Sequence, residues 1–339
     1  MPRSYDAILL LSFGGPERKD DVLPFLENVL RGKRIPKVRM LEVAEHYYLF
    51  DGVSPINEQN RALLTALIPE LTRSGINLPV YWGNRNWHPM LADTVRQMAE
   101  DGVNRALAFV TSAFASYSGC RQYLEDIERA RAEVGPQAPQ IEKLRLFHNH
   151  PGFIEPTAER VTEAFEEIDE SARNDARLVF TAHSLPVAMS DACAYVAQLR
   201  DACQLVAERV GCSLWDLVYQ SRSGPPSQPW LEPDVCDHLR NLRDDRITDV
   251  VVVPIGFLSE HMEVIYDLDV EAAQVAEEIG LNLVRSSVVG PHPRFVAMIR
   301  ELIQERLEEN PERLFLGSMG VAPDRCPADC CTWQTKRPT

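Results

Sequence analysis

Long apolar segments, an excess of positive charge and a dense set of cysteines are all missing from this sequence of 339 residues. No apolar run approaches the ~20 residues that span a bilayer, and the apolar stretch at residues 7–11 is too short for a signal peptide. Asp and Glu number 50 against 35 Lys and Arg, so the formal net charge is −15. Such a body does not attract nucleic acid or anionic membranes through its overall field. We therefore predict a cytoplasmic protein without a transmembrane segment or a nucleic-acid partner.

The eight cysteines are too few for a disulfide scaffold, and a cytoplasmic chain keeps its thiols reduced. Apolar residues make up 45% and charged residues 25% of the chain, which is ordinary globular usage. At ~150 residues per domain, the length favours two domains. We predict domains at residues 1–150 and 151–316, followed by a cysteine-bearing tail at 317–339 that has lost helical periodicity.

Short apolar runs alternate with longer amphipathic stretches, which is typical of parallel sheets covered by helices on both faces. The fold class is therefore predicted as α/β, with two doubly wound domains of four strands each. The predicted strands are residues 7–13, 78–82, 105–110, 143–148, 178–182, 215–219, 249–257 and 282–286. Helices are predicted at residues 56–73, 121–132, 153–170, 191–210 and 293–307.

In open α/β sheets, ligands bind beyond the carboxyl ends of the strands. His183 stands at such an end and is followed by Ser184-Leu185-Pro186, in which the proline breaks regular pairing. An imidazole in that place can accept or donate a proton near neutral pH. The alternative is a histidine that only hydrogen-bonds the loop backbone.

Acidic residues recur at helical spacing after the seventh predicted strand. Glu260, Glu263, Asp267 and Glu271 are spaced i, i+3, i+7 and i+11, so on an α-helix they form one stripe of carboxylates. Like charges repel at this spacing, and a hard divalent cation that prefers oxygen ligands is one reason to keep them together. A solvated acidic face is the alternative.

Two further segments depart from the character of the chain. Residues 31–39 carry five basic residues and no acid, which indicates either an exposed loop or a docking site for an anionic ligand. Cys326, Cys330 and Cys331 lie within six residues, and Cys120 follows the third strand. Four such thiols suit zinc or an iron–sulfur cluster, and the spacing does not separate the two.

Six segments taken together resemble the ferrochelatase family, and their order along the chain makes the resemblance specific. It extends from Ala7 to about Leu307. The segments are Ser12-Phe13-Gly14-Gly15-Pro16, Gly52-Val53-Ser54-Pro55-Ile56, Thr181-Ala182-His183-Ser184-Leu185-Pro186, Gln220-Ser221-Arg222-Ser223-Gly224-Pro225, Pro229-Trp230-Leu231 and residues 256–269. The chain is most similar to the actinobacterial-type coproporphyrin III members.

The resemblance implies an enzyme that inserts ferrous iron into a porphyrin held between two Rossmann-like domains. His183 matches the family's catalytic histidine, which takes protons from the pyrrole nitrogens, and Glu263 matches its acidic partner across the cleft. Asp267 and Glu271, with His183 and Glu263, match positions that bind or relay the iron substrate or protons. The matches that hold propionates or line the cleft are Phe13, Arg31, Tyr47 and Ser54. Phe13 departs from relatives that carry a tyrosine there, because phenylalanine has no oxygen for iron.

The resemblance also implies one 2Fe–2S cluster per chain, because some members ligate it with one cysteine of the first domain and three near the C-terminus. Cys120, Cys326, Cys330 and Cys331 match this set. The spacing of the last three is tighter than in the animal members. The implied partners are a porphyrin, ferrous iron and, transiently, neighbouring enzymes of haem synthesis, and the chain is expected to be a monomer.

The basic stretch within residues 31–51 favours coproporphyrin III, which carries four propionates, over protoporphyrin IX, which carries two. A protoporphyrin IX ferrochelatase is the alternative. Less favoured are a chelatase for cobalt or nickel, which is typically shorter, and a porphyrin carrier that has lost turnover. A dinucleotide-binding oxidoreductase is disfavoured because Gly14-Gly15-Pro16 is not the Gly-x-Gly-x-x-Gly turn.

Overall fold

The computed structural model describes residues 4–32 and 36–333. The strands are β1 (Ala7–Ser12), β2 (Val80–Asn84), β3 (Arg105–Val110), β4 (Gln140–Lys143), β5 (Arg177–His183), β6 (Trp215–Gln220), β7 (Asp249–Val253) and β8 (Asn282–Arg285). They form two four-stranded parallel sheets of equivalent order, β2-β1-β3-β4 and β6-β5-β7-β8. The predicted α/β class with four strands in each half is confirmed.

The α-helices of the described residues are α1 (Val22–Val29), α2 (Lys37–Tyr48), α3 (Ile56–Arg73), α4 (Leu91–Glu100), α5 (Gln122–Val134), α6 (Pro151–Glu166), α7 (Val187–Ser190), α8 (Tyr195–Val210), α9 (Val235–Asp244), α10 (Met262–Val264), α11 (Ala273–Ile279) and α12 (Pro293–Leu307). In the described part of the chain, no helix is long and apolar enough to cross a membrane.

The alternation of side chains along each central strand explains why helices cover both faces. In β1, Ile8 and Leu10 enter a core shared with α3, whereas Ala7, Leu9 and Leu11 enter a core shared with α4 and α5. Successive side chains of a strand point to opposite faces, so a strand buried on both sides is apolar throughout. The second sheet repeats the pattern, with Val179 and Phe180 of β5 in different cores.

One large core is continuous between the two halves. It contains Leu10 and Phe109 of the first sheet together with Phe180 and Val251 of the second. Helix α12, the last in the chain, packs against both α3 and α6. Residues 150 and 151 therefore do not separate two independent cores. The division of the chain into two domains there stays a prediction.

The fourth strand exists, but its predicted bounds at residues 143–148 are wrong. The ladder with β3 covers Gln140–Lys143, where Arg105 pairs with Gln140. Leu144 and Phe147 are apolar because the chain after β4 is buried in the continuous core. Burial and strand pairing produce the same apolar signal, so composition did not separate them. Helices α3 and α12 match their predictions, whereas α1, α2, α4 and α9 were not predicted.

Candidate active site

A cavity of about 610 Å³ opens beyond the carboxyl ends of both sheets. The carboxyl ends of six strands contribute to its lining, which is where ligands bind in such sheets. One lining residue at each of these strand ends is Phe13, Arg85, Thr111, His183, Ser221 and Phe257.

Most of the candidate site residues meet in this cavity. Those that line it are Phe13, Arg31, Tyr47, Ser54, His183, Glu263 and Asp267. Glu271 is not among the lining residues, although it lies on the same helix as Asp267. The structure thus joins residues that are far apart in the sequence, and it leaves the outermost predicted carboxylate outside the cavity.

His183 is the last residue of β5, and its tautomer follows from a neighbouring carbonyl. Nδ1 lies 2.5 Å from the backbone oxygen of Ser184. A carbonyl oxygen only accepts, so Nδ1 must donate and Nε2 keeps a free lone pair while the ring is neutral. The Tyr195 hydroxyl also donates to the backbone oxygen of His183 at 3.0 Å, which fixes the end of the strand. His183 therefore presents a base to the cavity.

Glu263 lies beside His183 rather than across the cleft from it. Its Oε1 is 3.9 Å from His183 Nε2, and both side chains are partly exposed to the cavity. Both belong to the second half of the chain. His183 ends β5, and the helix that carries Glu263 follows β7, which pairs with β5 in the same sheet. The predicted placement on opposite sides of the cleft is wrong, and the base and its carboxylate share one wall.

The carboxylates sit on an unusual helix. After the single turn of α10, residues Ile265–Ala272 form a π-helix, in which hydrogen bonds run from i to i+5 and the turn is wider than in an α-helix. Glu263, Asp267 and Glu271 recur at intervals of four residues, close to the period of this wider turn. Single π-turns inside helices often occur at functional sites.

Glu260 does not belong to this row, so the prediction of a four-carboxylate stripe is wrong. The helix begins only at Met262, after His261, whose Nδ1 accepts from the Glu263 backbone nitrogen at 3.2 Å. Glu260 precedes that start, and its Oε1 accepts from Arg285 Nη1 at 3.0 Å. Its charge is used to fix the loop to β8, and three carboxylates remain in the row.

Asp267 has the best-defined environment of the three carboxylates. It accepts from the Ser221 hydroxyl and, at 3.3 Å, from Gln220 Nε2. Burial raises the pKa of Asp267 to about 7, and the negative charges of Glu263 and Glu271 act in the same direction, while the Ser221 hydrogen bond opposes them. A carboxyl with such a pKa exchanges protons near neutral pH.

The positions of Gln220 and Ser221 were part of a recognised segment, but the sequence suggested no role for them. Ser221 has φ of 60°, which is unusual for a residue with a side chain, and it turns the chain at the end of β6. That turn presents both side chains to Asp267. The sequence signal was the Gln-Ser-Arg-Ser-Gly segment itself, which does not reveal that it contacts the acidic helix.

The opposite wall is built from the lip helices α1 and α2 and the loop after β1. Phe25 makes edge contacts with the rings of Phe13 and Tyr47, with centroids 6.2 and 5.8 Å apart. Arg85 lies over the Phe13 ring, 5.7 Å from its centroid. Burial, with the nearby charges of Glu263 and Asp267, raises the pKa of Tyr47 well above its ordinary value. Ser54 is buried and its backbone nitrogen donates to Pro16.

The basic segment is only partly within the described residues, because Lys33, Arg34 and Ile35 lie outside them. Arg31 is exposed, lines the cavity and donates to Asn28 Oδ1. Arg39 also lines the cavity and pairs with Glu42 at 2.9 Å. The wall therefore carries cations that face the space between the two halves.

A contact that no sequence pattern indicated joins the two walls. The rings of His46 on α2 and Tyr266 on the π-helix are stacked, with centroids 3.6 Å apart and planes at 9°. Both residues line the cavity. Such a stack depends on the closing of two distant segments on each other, so neither residue stands out in the sequence.

The cysteine tail packs beside Cys120. Cys120 and Cys331 are buried in one small cluster, against which Cys193 and Cys330 pack. The thiols of Cys330 and Cys331 are 3.4 Å apart, and Lys143 Nζ is 2.8 Å from Cys120 Sγ. A hydrogen bond with the Cys331 thiol lowers the pKa of Cys120 to about 5, and burial opposes it while Lys143 acts in the same direction.

The exposed Cys326 also interacts with Cys120, and ligation of a cluster by the four thiols stays a prediction. Cys193 is a fifth thiol that the sequence did not suggest, and its hydrogen bond with Cys331 lowers the pKa of Cys193 to about 7. Across residues 4–32 and 36–333, however, no three His, Cys, Asp or Glu side chains form a group that could hold a single metal ion.

Comparisons with known proteins agree with the geometry. The model of the family described as "Ferrochelatase" matches residues 5–307. A protein named "Ferrochelatase" from Rhodopirellula baltica is 57% identical and is covered over 95% of its length by 98% of this chain. The "Coproporphyrin III ferrochelatase" of Streptomyces coelicolor is 50% identical, with 98% of this chain and 95% of that protein covered. Its namesake from Nocardia farcinica is 51% identical, with 98% and 97% covered.

Solved structures with a similar fold are chelatases. SirB from Bacillus subtilis with Fe³⁺ aligns with a TM-score of 0.55 at 15% identity, over 90% of this chain and 96% of that one. The sirohydrochlorin chelatase SirB of Bacillus subtilis subspecies spizizenii in complex with cobalt gives 0.52 at 15% identity over the same shares. At this identity the likeness concerns the fold alone.

Proposed function

The chain belongs to the ferrochelatase family, and on that premise we propose that its porphyrin substrate is coproporphyrin III. It is an enzyme that inserts ferrous iron into a porphyrin for haem synthesis. The Streptomyces and Nocardia relatives carry coproporphyrin III in their names. The observation that carries the proposal is the cavity itself, which has His183 and two carboxylates on one wall and arginines on the other.

Iron insertion removes the two N–H protons of the porphyrin and coordinates Fe²⁺ to its four ring nitrogens. We propose that His183 Nε2 takes the first proton, because its hydrogen bond to Ser184 leaves that nitrogen as an acceptor. Glu263 Oε1, at 3.9 Å, stabilises the imidazolium that forms and receives the second proton. Phe13 contributes a ring without a ligand atom, so His183 and the carboxylates supply the polar contacts for iron in this proposal.

Glu263 and Asp267 form the inner part of the route proposed for iron and protons, and Glu271 lies at its outer end. Carboxylate oxygens suit the hard, hydrated ferrous ion. Glu271 lies near Asp234, which with burial raises the pKa of Glu271, whereas Arg39 opposes the shift. Of the three carboxylates, Asp267 is the one whose pKa lies near neutrality.

The identity of the porphyrin is tested by comparing the two candidate substrates under anaerobic conditions. The protein is mixed with ferrous iron and either coproporphyrin III or protoporphyrin IX, and the loss of porphyrin fluorescence is followed. Faster insertion into coproporphyrin III supports the proposal. Faster insertion into protoporphyrin IX contradicts it, and binding of both without insertion would indicate a carrier.

We propose in addition that the tail thiols hold a 2Fe–2S cluster. Four cysteines are the donor set of such a cluster, and the lowered pKa of Cys120 favours the thiolate that ligates iron. The contacts among Cys120, Cys326, Cys330 and Cys331 support the assignment. When bound, the cluster would tie the tail to the first sheet.

Anaerobically purified protein should contain two irons and two acid-labile sulfides per chain and absorb in the visible range. Cys331→Ser should abolish this absorbance, whereas the matched Cys193→Ser should retain it, because Cys193 is outside the proposed ligand set. A colourless wild type with one zinc per chain would overturn the cluster. Loss of colour in Cys193→Ser would show that Cys193 is a ligand in place of one of the four assigned cysteines.

We also propose that the chain acts as a cytoplasmic monomer that meets neighbouring enzymes of haem synthesis only transiently. The absence of a membrane-crossing helix in the described residues is compatible with this proposal. Light scattering of the purified protein and fractionation of cells test it.

A further inference from the structure

A further cationic position lies in the cavity, apart from Arg31 and Arg39. Arg85 and Arg129 both donate to the carboxylate of Asp126. Asp126 and Arg85 are buried, with 4% and 7% of their side chains exposed, whereas Arg129 is 67% exposed. One carboxylate faces two guanidiniums, so this group keeps a formal charge of +1, and the accessible part of that charge is Arg129. All three residues line the cavity.

A chain of polar contacts connects this group with Arg31. Arg31 donates to Asn28 Oδ1, and Asn28 Nδ2 donates to the backbone oxygen of Asn86 at 3.1 Å. Asn86 directly follows Arg85. Arg31 and Arg129 are therefore the two ends of one polar strip along the first-half wall. A planar ligand that lay along this strip would have a guanidinium at either end.

Two other arginines, one just before α5 and one near its end, donate to backbone oxygens outside the helix. Arg121 donates to the backbone oxygens of Ala328 and Cys330, and Arg131 donates to that of Pro139 at 2.8 Å. The partner that the structure gives Arg129 is Oδ1 of Asp126, whose other oxygen accepts from the buried Arg85. Gln122, seven residues before Arg129 and on the same face of α5, also lines the cavity.

Coproporphyrin III has a propionate on each pyrrole ring, whereas protoporphyrin IX has vinyl groups in place of two of them. We take the end of the strip at Arg31 to bind the two propionates that both porphyrins share. We infer that Arg129 binds a propionate that coproporphyrin III has and protoporphyrin IX lacks, and so determines specificity. This inference rests on the proposed function. Arginine suits the task because its planar donors fit a carboxylate.

The test measures binding of metal-free porphyrins by fluorescence titration. Coproporphyrin III is compared with deuteroporphyrin IX, which carries hydrogens in place of the two extra propionates. Arg129→Gln should weaken coproporphyrin III about tenfold, which corresponds to about 1.4 kcal/mol, and deuteroporphyrin IX by less than about twofold. Arg129→Lys should recover part of the loss because it restores the charge without the planar fork.

The matched control is Arg96→Gln, which removes an exposed charge of the same domain that pairs with Asp93 outside the cavity. It should leave both affinities unchanged. Equal weakening of both porphyrins, or no weakening of either, in Arg129→Gln overturns the inference. The proposed function is judged separately, by wild-type insertion into coproporphyrin III: it fails if the wild type does not insert iron, whatever the Arg129 variants show in binding.

Discussion

The two walls of the cavity are built by sheets of equivalent strand order and yet carry opposite chemistry. The first-half wall offers the aromatic ring of Phe13 and the guanidiniums of Arg31 and Arg129. The second-half wall offers a free imidazole nitrogen on His183 and a row of carboxylates that begins at Glu263.

The difference shows that topology places a site and that the loops decide its chemistry. In both sheets the central strands are apolar because both faces are covered, so they contribute little besides position. The loops are free to differ, and in the proposed function one set binds anions while the other handles protons and metal. The division of labour across the cavity leads to four predictions.

The largest effect is expected from His183→Ala, which removes the base of the second-half wall. Iron insertion should fall by ~10²- to 10⁴-fold, the usual contribution of general base catalysis. Porphyrin affinity should stay within about twofold, because in the proposed function the opposite wall holds the macrocycle. Stopped-flow insertion and equilibrium fluorescence titration separate the two. The exposed imidazole of His88 lies outside the cavity lining, and His88→Ala serves as the control.

A variant of the first-half wall should show the reverse pattern. Arg31→Gln should raise KM for both porphyrins by about ten- to a hundredfold, as expected when a charge-assisted hydrogen bond is lost, with kcat nearly unchanged. Steady-state kinetics with coproporphyrin III and protoporphyrin IX measure it. A fall in kcat with constant KM would show that the two walls do not divide binding from catalysis.

The pH dependence should belong to the second-half wall. The pKa of Asp267 is raised to about 7, so the carboxylate becomes protonated as the pH falls through 7 and then accepts neither a proton nor iron. Insertion should fall by up to about tenfold between pH 8 and pH 6. Asp267→Asn should be slower at pH 8 and should lose this part of the profile. An unchanged profile in the variant would remove Asp267 from the route.

The smallest effect concerns the stack that joins the walls. His46→Ala and Tyr266→Ala should each lower the free energy of unfolding, and their coupling in a double-mutant cycle should be about 0.5–1.5 kcal/mol, as for other aromatic pairs. Urea unfolding of the two single variants and the double variant measures it. Additive effects would mean that the rings do not stabilise each other in solution.

Pattern predicted the repeated elements well and the lip poorly. The strands β1 and β3 and the helices α3 and α12 follow from apolar runs and helical periodicity. The lip helices α1 and α2 bury only a few residues, among them Phe25 and Tyr47, in a small core of their own. Such a short amphipathic signal is easily lost in a mixed sequence.

The acidic helix shows where sequence reasoning reached its limit. The spacing of Glu263, Asp267 and Glu271 indicated a common face, and the structure keeps it through a π-helix. It also suggested Glu260, whose charge is instead taken by Arg285. Which carboxylate faces a cavity depends on where the helix begins, and helix ends are set by local hydrogen bonds that spacing does not reveal.

Local order along the chain was enough to predict the α/β class and to single out strand ends, His183, Glu263 and four cysteines as candidates. These inferences depend on residue type and short-range spacing. The placement of His183 beside Glu263, the shared charge of Arg85 and Arg129, and the arrival of Cys193 among the thiols depend on segments distant in sequence. Such contacts form only when the sheets and helices pack, since burial and electrostatic pairing act through space rather than along the chain.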